Sequence, residues 1–421
     1  MNRRRSEGVW AFAGAALTFT GVYLAAGALM PMMVVYQERW DLPAARVTLA
    51  FAVFAVGFLA AVLTLGSLSD RMGRRPVLIG ALLVQLASNV MFLLAPDIGW
   101  VIAARVVQGF ATGAATTAFT AALVELAPPN RKALGATIGS VSLTGGLGAG
   151  SLLAGLVIQV TTHANAVIFV ALSVITVAGI AVIALSPETV TRVPGVLRAL
   201  VPRVSVPQRA RGEFAAALPV LAAIWMIAGL SGGLAPSLVR SVFFVNSGLL
   251  NGLSGFVAPA ASALVGATIG RLNPRRGMTI GIHASVIGTV CIVVGVSAGS
   301  LATMIIGQAI AGAGFGAAFA AALRLIVPFA KEHERAGLAA AIFVVSYTAF
   351  GVPIVLAGWV AGPVGMVPTV FWFGMVAIAS SLLGLCAQRA MTTPPAVATV
   401  RREGADDGSQ TPHRDRDVRQ R

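Results

Sequence analysis

The sequence predicts an all-α membrane protein in which twelve transmembrane helices form two six-helix bundles. The 421 residues are 57% hydrophobic and only 11% charged, with a mean hydropathy of +0.87, which lies far outside the range of soluble domains. The apolar residues fall in twelve runs of bilayer length, and the two halves of the chain share short motifs at a nearly constant spacing. This composition argues strongly against a soluble enzyme.

Each apolar run is long enough to cross the membrane as a helix. About 20 residues span roughly 30 Å of hydrocarbon, and a helix satisfies its own backbone amides where lipid offers no partner. Six runs lie in an N-terminal bundle over residues 9–186, and six in a C-terminal bundle over residues 214–390. The predicted spans are residues 9–37, 46–68, 77–95, 99–126, 133–160, 164–186, 214–236, 250–270, 278–297, 300–328, 337–361 and 366–388.

The basic residues orient the chain in the membrane. Of the 30 Lys and Arg residues, 25 lie in the termini or in the loops on the same side, and three lie on the other side. Because basic loops stay in the cytoplasm, we expect a multi-pass cell-membrane protein with both termini cytoplasmic. Three cytoplasmic segments flank the bundles: the N-terminus (1–8), a basic, proline-rich linker (187–213) and a polar tail (391–421) whose composition predicts disorder.

An internal repeat relates the two halves. Four pairs of segments match at offsets of 203 to 205 residues: 27–31 with 232–236, 66–68 with 270–272, 109–113 with 312–316, and 131–133 with 334–336. Such a duplication predicts parallel halves around an axis along the membrane normal, with a central cavity between them.

A charged loop, LGSLSDRMGRRPV, joins spans 2 and 3. Its key positions are Gly66, Asp70, Arg71, Gly73, Arg74 and Arg75. They fill every defined position of the G-x-x-x-D-R-x-G-R-R element found between spans 2 and 3 of the major facilitator superfamily. The chain resembles that family over its whole hydrophobic part. The resemblance implies two bundles that rock about a midplane substrate site, with spans 1, 4, 7 and 10 lining the cavity.

The residue types of this loop predict distinct roles. We expect Gly66 to allow two helices to approach closely and Gly73 to permit a tight connection, while the arginines hold the loop in the cytoplasm. The resemblance implies that Asp70 docks near Ala336 and Gly337 of span 11 and against loop arginines when the cytoplasmic side is closed, and so acts as a conformational latch. The alternative is a solvated turn with ordinary loop charges.

Span 4 carries ionisable residues at two depths. Arg105 and Gln108 resemble the R-x-x-Q-G element of drug and metabolite exporters, in which the arginine is linked to proton coupling. An arginine near the middle of the bilayer costs about 2.5–3.5 kcal/mol, so it should face water, carbonyls or an anion. The alternative is that Arg105 only bonds loop and helix carbonyls. At the cytoplasmic end, we expect Glu125 to pair with Arg131 or with the loop arginines.

Closely spaced glycines predict tight helix packing in spans 4 and 5. Span 5 resembles the exporter pattern G-x-x-x-G-P-x-x-G-G, but Ser151 and Ala154 stand where that pattern has proline and glycine. The missing proline weakens the inference of antiport. The predicted packing positions are Gly109, Gly113, Gly146, Gly150 and Gly155.

The spans expected to line the cavity carry aromatic residues and few hydrogen-bonding groups. Sugar recognition needs many polar groups, so this surface favours a small hydrophobic or amphipathic molecule that is aromatic or carries a delocalised charge. For any single ring, helix packing is the alternative role. The candidate lining residues are Phe19, Tyr23, Phe119, Trp225, Phe315 and Phe319.

Other titratable residues offer little support for proton coupling, since no Asp or Glu lies deep inside a span. Glu38 and Asp41 follow span 1 and could form an outer gate, although solvated loop charges are the simpler interpretation. We expect His283, on the peripheral span 9, to be buried and neutral. We expect Arg324 to extend to the cytoplasm.

Three functions remain open. The first is proton-coupled efflux by an antiporter, the second is import or uncoupled facilitation of a small metabolite, and the third is a membrane protein that transports nothing. The first is preferred, with no enzymatic activity. The net charge of +15 is scattered between apolar runs, so we expect no nucleic-acid partner. We also expect no cofactor and no metal, and a monomer in the lipid bilayer that binds a small-molecule substrate and protons.

Overall fold

The computed structural model describes residues 2–190, 202 and 204–392 of the chain. Most of the predicted tail, from residue 393 onward, and linker residues 191–201 and 203 lie outside the described residues. The described part contains helices and no strands. Its twelve long helices are α1 (Asn2–Arg39), α2 (Ala44–Leu65), α3 (Arg74–Leu93), α4 (Ile98–Leu126), α5 (Lys132–Val160), α6 (Ala164–Leu185), α7 (Arg211–Gly233), α8 (Gly248–Thr268), α9 (Pro274–Ser297), α10 (Leu301–Ile326), α11 (Arg335–Val364) and α12 (Met366–Thr392).

All twelve helices are long and apolar enough to cross a membrane. Their ends differ from the predicted spans by at most four residues, except that α1 already begins at Asn2. The predicted seventh span is divided, because α7 ends at Gly233 and a short helix, Ala235–Ser241, follows with Pro236 in its first turn. Proline suits a first turn because it has no N–H to donate. The matching Pro31 lies inside a continuous α1.

The internal repeat is visible in the packing of glycines against carbonyl groups. In both halves, two glycines four residues apart on the fourth helix face two carbonyl oxygens four residues apart on the second helix. In lipid, helices associate through van der Waals contact rather than burial from water, so this close approach stabilises the helix pair. The pairs are Gly109 with Phe54, Gly113 with Phe58, Gly312 with Ala258, and Gly316 with Ser262.

The two halves, α1–α6 and α7–α12, meet mainly along two helix pairs, α5 with α8 and α2 with α11. Twelve crossings place the start of α1 and the end of α12 on the same side, which we call the terminal face; the opposite side is the far face. The α2–α11 contact is aromatic: Phe58 stacks on Tyr347 at 4.1 Å between ring centroids, and Phe51 lies 5.3 Å from Phe350.

The α5–α8 contact, which we call the glycine seam, is formed by Gly155 of α5 with Gly248 and Gly252 of α8. A Cβ atom at Gly155 would lie 2.6 Å from Gly252 Cα, so the two backbones touch directly. Ser151, at the proline position of the exporter pattern, donates a hydrogen bond to the carbonyl of Gly252 at 3.0 Å. The departure from that pattern therefore provides a polar contact between the halves. The other two glycines of α5 that were predicted as packing positions, Gly146 and Gly150, face carbonyl groups of α1.

Candidate functional site

A cavity lies between the two halves, and eight helices line it: α1, α2, α4 and α5 from one half, and α7, α8, α10 and α11 from the other. The space open to the centre of a water molecule is about 130 Å³. Its wall is mainly apolar, and among the described residues Arg105 is the one charged side chain that lines it. A concave, mainly apolar space with few polar groups is typical of a small-molecule site.

Three of the six rings predicted to line the cavity do so: Tyr23, Trp225 and Phe315. Trp225 is central, because its ring meets Phe315 edge-on at 5.3 Å and lies 4.9 Å from the ring of Tyr347. The hydroxyl of Tyr23 is hydrogen-bonded to Thr116 Oγ1 at 2.8 Å, which fixes this ring against α4. The cavity thus has an aromatic wall with contributions from both halves.

The other three rings do not line the cavity. Phe19 and Phe119 are fully buried and stack on each other at 5.2 Å within the packing of α1 against α4. The prediction that these two rings line the cavity was wrong, because α1 and α4 turn them toward each other. Phe319 packs edge-on against Trp225 at 5.8 Å and supports that ring from outside the wall.

Sequence reasoning missed the rings of α2 and α11, because only spans 1, 4, 7 and 10 were expected to line the cavity. The wall includes Phe51 and Phe54 of α2 and Tyr347 and Phe350 of α11. A signal was present in the sequence: the aromatic residues of both helices recur at intervals of three or four, which places them on one helical face.

Arg105 is buried in α4, with 2% of its surface exposed. Its Nη1 donates to Gln108 Oε1 at 2.6 Å, and its Nη2 donates to the carbonyl of Phe51 at 3.3 Å. Its guanidinium carbon lies 4.5 Å from the ring centroid of Phe54, within cation–π range. The sequence left two roles open for Arg105, facing the cavity or bonding carbonyl groups. The structure combines them, since the side chain bonds a helix carbonyl and also lines the cavity.

A polar cluster at the terminal face centres on Arg74, which begins α3. This arginine pairs with Asp70 at 2.5 Å and with Glu125 at 2.8 Å, and it donates to Ser69 Oγ at 2.6 Å. Glu125 was expected to pair with Arg131 or with a loop arginine, and the structure selects Arg74; Arg131 lies exposed in a short turn. The cluster ties the loop after α2 to the end of α4.

Glu188, which sequence reasoning did not identify, caps α3. Its carboxylate accepts hydrogen bonds from the backbone N–H groups of Arg74 at 2.8 Å and Arg75 at 3.1 Å. A carboxylate is favoured there, because the first N–H groups of a helix have no partner within it. Gly73 precedes them with φ +99°, and a Cβ atom there would lie 2.5 Å from Glu188 Oε2. The tight connection expected at Gly73 is therefore present.

Two other expectations for this loop differ from the structure. A Cβ atom at Gly66 would meet the carbonyl oxygen of Val62, one turn earlier in the same chain segment, rather than a second helix. Asp70 is exposed, and its ion pair with Arg74 is a contact with a loop arginine, as expected, but not with α11. The backbone carbonyl of Gly337, near the expected docking point on α11, accepts from the backbone N–H of Ser205. The latch contact of Asp70 with α11 thus stays a prediction for another conformation.

Polar contacts join the two halves at the far face. Glu38 at the end of α1 pairs with Arg240 at 2.7 Å, and Gln37 accepts from Ser237 Oγ at 3.2 Å. The outer-gate role considered for Glu38 thus has a partner from the other half, whereas Asp41 is exposed in the adjoining turn. Together with the glycine seam, these contacts hold the far ends of the halves together.

Two isolated basic residues lie away from the cavity. His283 is exposed on the outer surface of α9, with Nδ1 2.7 Å from the carbonyl oxygen of Thr279, so the expectation that it is buried was wrong. Arg324 is exposed near the end of α10 and donates to the carbonyl of Leu272 at 3.0 Å, at the terminal face.

Comparison with known proteins gives a family and a fold. Residues 15–246 match the sequence model of the Major Facilitator Superfamily. An uncharacterized transporter of Rickettsia bellii (strain RML369-C) is 34% identical over 73 residues, a match that covers 17% of this chain and 18% of that protein.

Similar solved structures cover nearly the whole chain. The human organic anion transporter MFSD10 (TETRAN) has a TM-score of 0.66 at 15% identity, and the match covers 90% of this chain and 99% of that one. A POT family transporter in complex with 5-aminolevulinic acid has a TM-score of 0.72 at 14% identity, covering 92% and 97%. At these identities the likeness supports the fold of twelve helices in two bundles.

Proposed function

The chain belongs to the major facilitator superfamily, and from this premise we propose that it is a secondary active transporter that exports a small hydrophobic or amphipathic molecule in exchange for protons. Transport would proceed by alternating access of the central cavity to the two faces of the membrane. Following the distribution of basic residues, the terminal face is cytoplasmic and the far face is external. The membrane is the cell membrane.

The observation that carries this proposal is the position of the cavity relative to the contacts between the halves. The glycine seam and the Glu38–Arg240 pair lie on the far side of the cavity, whereas Thr144 of α5 and Ser262 of α8, further toward the terminal face, line the cavity itself. This arrangement supports a conformation that is closed to the outside. Transport requires that these contacts break while others form on the cytoplasmic side.

The Asp70 loop is proposed to form those other contacts. With the cytoplasmic side closed, Asp70 would leave Arg74 for the N-terminal end of α11, while Arg71 and Arg75 stay at the cytoplasmic surface. The Arg74–Glu125 pair would keep the loop attached to its own half during this movement. Asp70 is the exposed member of its pair with the buried Arg74, and Arg74 keeps Glu125 as a partner when Asp70 leaves.

Proton coupling is assigned to Arg105 with Gln108. The positive charge of Arg105 lies where the substrate would bind, so occupancy of the cavity and the charge balance of α4 affect each other. The experiment is transport of a compound panel by the purified protein in proteoliposomes with an imposed pH gradient. We expect accumulation driven by the gradient and lost when a protonophore is added.

Matched variants separate the coupling proposal from the transport proposal. Arg105→Ala should abolish gradient-driven accumulation, whereas Arg324→Ala, which removes an exposed arginine of α10, should not. Unchanged pH dependence in Arg105→Ala would count against coupling through this residue. Failure of the intact protein to move any compound in either direction would count against the transporter itself.

One observation favours a second candidate function. The residues that line the cavity within the described chain include no His, whose ordinary pKa lies near neutral, and no Asp or Glu, whose pKa burial can raise toward neutral. An importer or an uncoupled facilitator of a small metabolite needs no such group. Substrate exchange that is independent of the pH gradient in the same proteoliposomes would support this alternative.

A further inference from the structure

The charge of Arg105 has no anionic partner among the residues that the structure describes. The ion pairs formed there involve Arg74, Arg240 and Arg275, and the hydrogen-bond acceptors of Arg105 are the neutral Gln108 amide and the Phe51 carbonyl. A buried charge without a counter-charge is strongly unfavourable, even when it is hydrogen-bonded. These contacts therefore leave the positive charge of Arg105 without a compensating negative charge.

The unsatisfied polar atoms of the cavity wall are hydrogen-bond donors. Arginine has five N–H groups, and the protein accepts hydrogen bonds from Nη1 and Nη2 of Arg105 while Nε has no described acceptor. Trp225 Nε1 and Ser231 Oγ, both on α7, are also buried without a described partner. These donors line one cavity from opposite halves of the protein, so an occupant rich in acceptors would satisfy them.

We propose that the cavity binds a small organic anion, with a carboxylate or sulfonate group on Arg105 and an apolar body against the aromatic wall. This inference rests on the proposed transport function and specifies its substrate class. The anionic group supplies both the missing acceptor and the missing negative charge. The rings of Phe54, Trp225 and Tyr347 supply the surface for the apolar body.

Two other occupants fit the same wall less well. A cation would gain from the aromatic faces but would be repelled by the buried guanidinium, which already lies over Phe54. A neutral molecule could accept hydrogen bonds from the three donors but would leave the charge of Arg105 uncompensated. A purely structural Arg105, which only joins α4 to α2, would not account for unpartnered donors on α7.

The test is binding of a matched set of probes to the purified full-length protein in nanodiscs, measured by isothermal titration calorimetry. The probes are 1-naphthoate, naphthalene-1-sulfonate, the neutral 1-naphthamide and the cationic 1-naphthylmethylammonium, which share one ring system. Because hydrogen bonds to charged groups are the stronger ones, we expect each anion to bind about 10- to 100-fold more tightly than the amide, with the ammonium weakest.

Variants connect this preference to Arg105. Arg105→Gln should weaken 1-naphthoate binding by about 10-fold or more, while 1-naphthamide binding changes by less than about 3-fold. Arg324→Gln, an exposed arginine of α10, should keep the preference of the unmodified protein. Thermal unfolding and a monodisperse elution profile check that each variant is folded. If Arg105→Gln does not fold, the ranking of the four probes by the unmodified protein still decides the proposal.

The outcomes separate this inference from the proposed function. Equal binding of amide and anion, preference for the ammonium, or no binding of either anion overturns the anion site, even if the protein transports one of these compounds. Anion binding that depends on Arg105, with no transport of these anions or of any panel compound in either direction, supports the site and overturns the transporter proposal.

Discussion

Gly155→Ala should open the far face of the protein. In the structure, a Cβ atom at Gly155 would lie 2.6 Å from Gly252 Cα and 2.5 Å from the carbonyl oxygen of Gly248. Both neighbours are backbone atoms, so no side chain can rotate away to make room. The substitution must therefore separate α5 from α8, which is the same movement that far-side opening requires.

The magnitude follows from these contacts. Because carbon atoms in contact are about 3.5–4.0 Å apart, α8 must retreat by about 1 Å at this point. The retreat also lengthens the 3.0 Å hydrogen bond from Ser151 to Gly252. Overpacking costs about 1–3 kcal/mol, which changes the ratio of far-closed to far-open molecules by about 5- to 150-fold.

The assay is the distance between two spin labels at the far ends of the seam helices, measured by electron paramagnetic resonance. Suitable label positions are Val160 of α5 and Leu249 of α8, since both side chains are exposed. The native cysteines, Cys291 and Cys386, would first be replaced by serine. We expect the population with the longer distance to increase in Gly155→Ala.

A second glycine of the same helix provides the control. A Cβ atom at Gly145 would meet only Val141 Cγ1, at 3.8 Å, which is an ordinary van der Waals contact. Gly145→Ala raises the helix propensity of α5 equally but should leave the distances unchanged. Identical distance distributions for the unmodified protein, Gly145→Ala and Gly155→Ala would refute the role of the seam in closing the far face.

Three further predictions concern the two faces. Glu38→Gln should raise the ratio of far-open to far-closed molecules by only about 1.4- to 5-fold, because a partly exposed ion pair contributes about 0.2–1 kcal/mol. Exchanging the charges of Glu38 and Arg240 should restore the distance distribution of the unmodified protein. No recovery in this double variant would argue against the pair. Gly73→Ala should lower the free energy of unfolding by about 1–3 kcal/mol, because φ +99° is strained for alanine and its Cβ would meet Glu188. The melting temperature should therefore fall, and an unchanged value would contradict this reasoning. Asp70→Asn should slow transport in proteoliposomes while membrane insertion stays normal, and full transport would remove the latch.

The contacts of several motif residues could not be predicted from the sequence, because their partners lie far away along the chain. The sequence placed Gly73 in a tight connection, but the acceptor that caps α3 is Glu188, more than a hundred residues later, and no local pattern links the two. In the sequence, Ser151 is a departure from the exporter pattern, which has proline at this position. In the structure, the same serine donates a hydrogen bond to the carbonyl of Gly252 in the other half. The predictions for Gly66 and His283 were wrong, because within the described chain no second helix packs against Gly66 and His283 lies on the exposed side of α9.

The sequence by itself determined the number of spans, their limits within a few residues and the duplication of the six-helix unit. The physical reason is that the bilayer acts on each segment separately, so the length and hydropathy of a run suffice to predict a crossing. Only the tertiary structure decided which side chains reach the cavity. Phe19 and Tyr23 lie one turn apart on the same face of α1 and their rings touch, yet Tyr23 lines the cavity whereas Phe19 packs against Phe119. How far the cavity extends along α1 depends on the packing of the neighbouring helices, which the sequence of α1 does not contain.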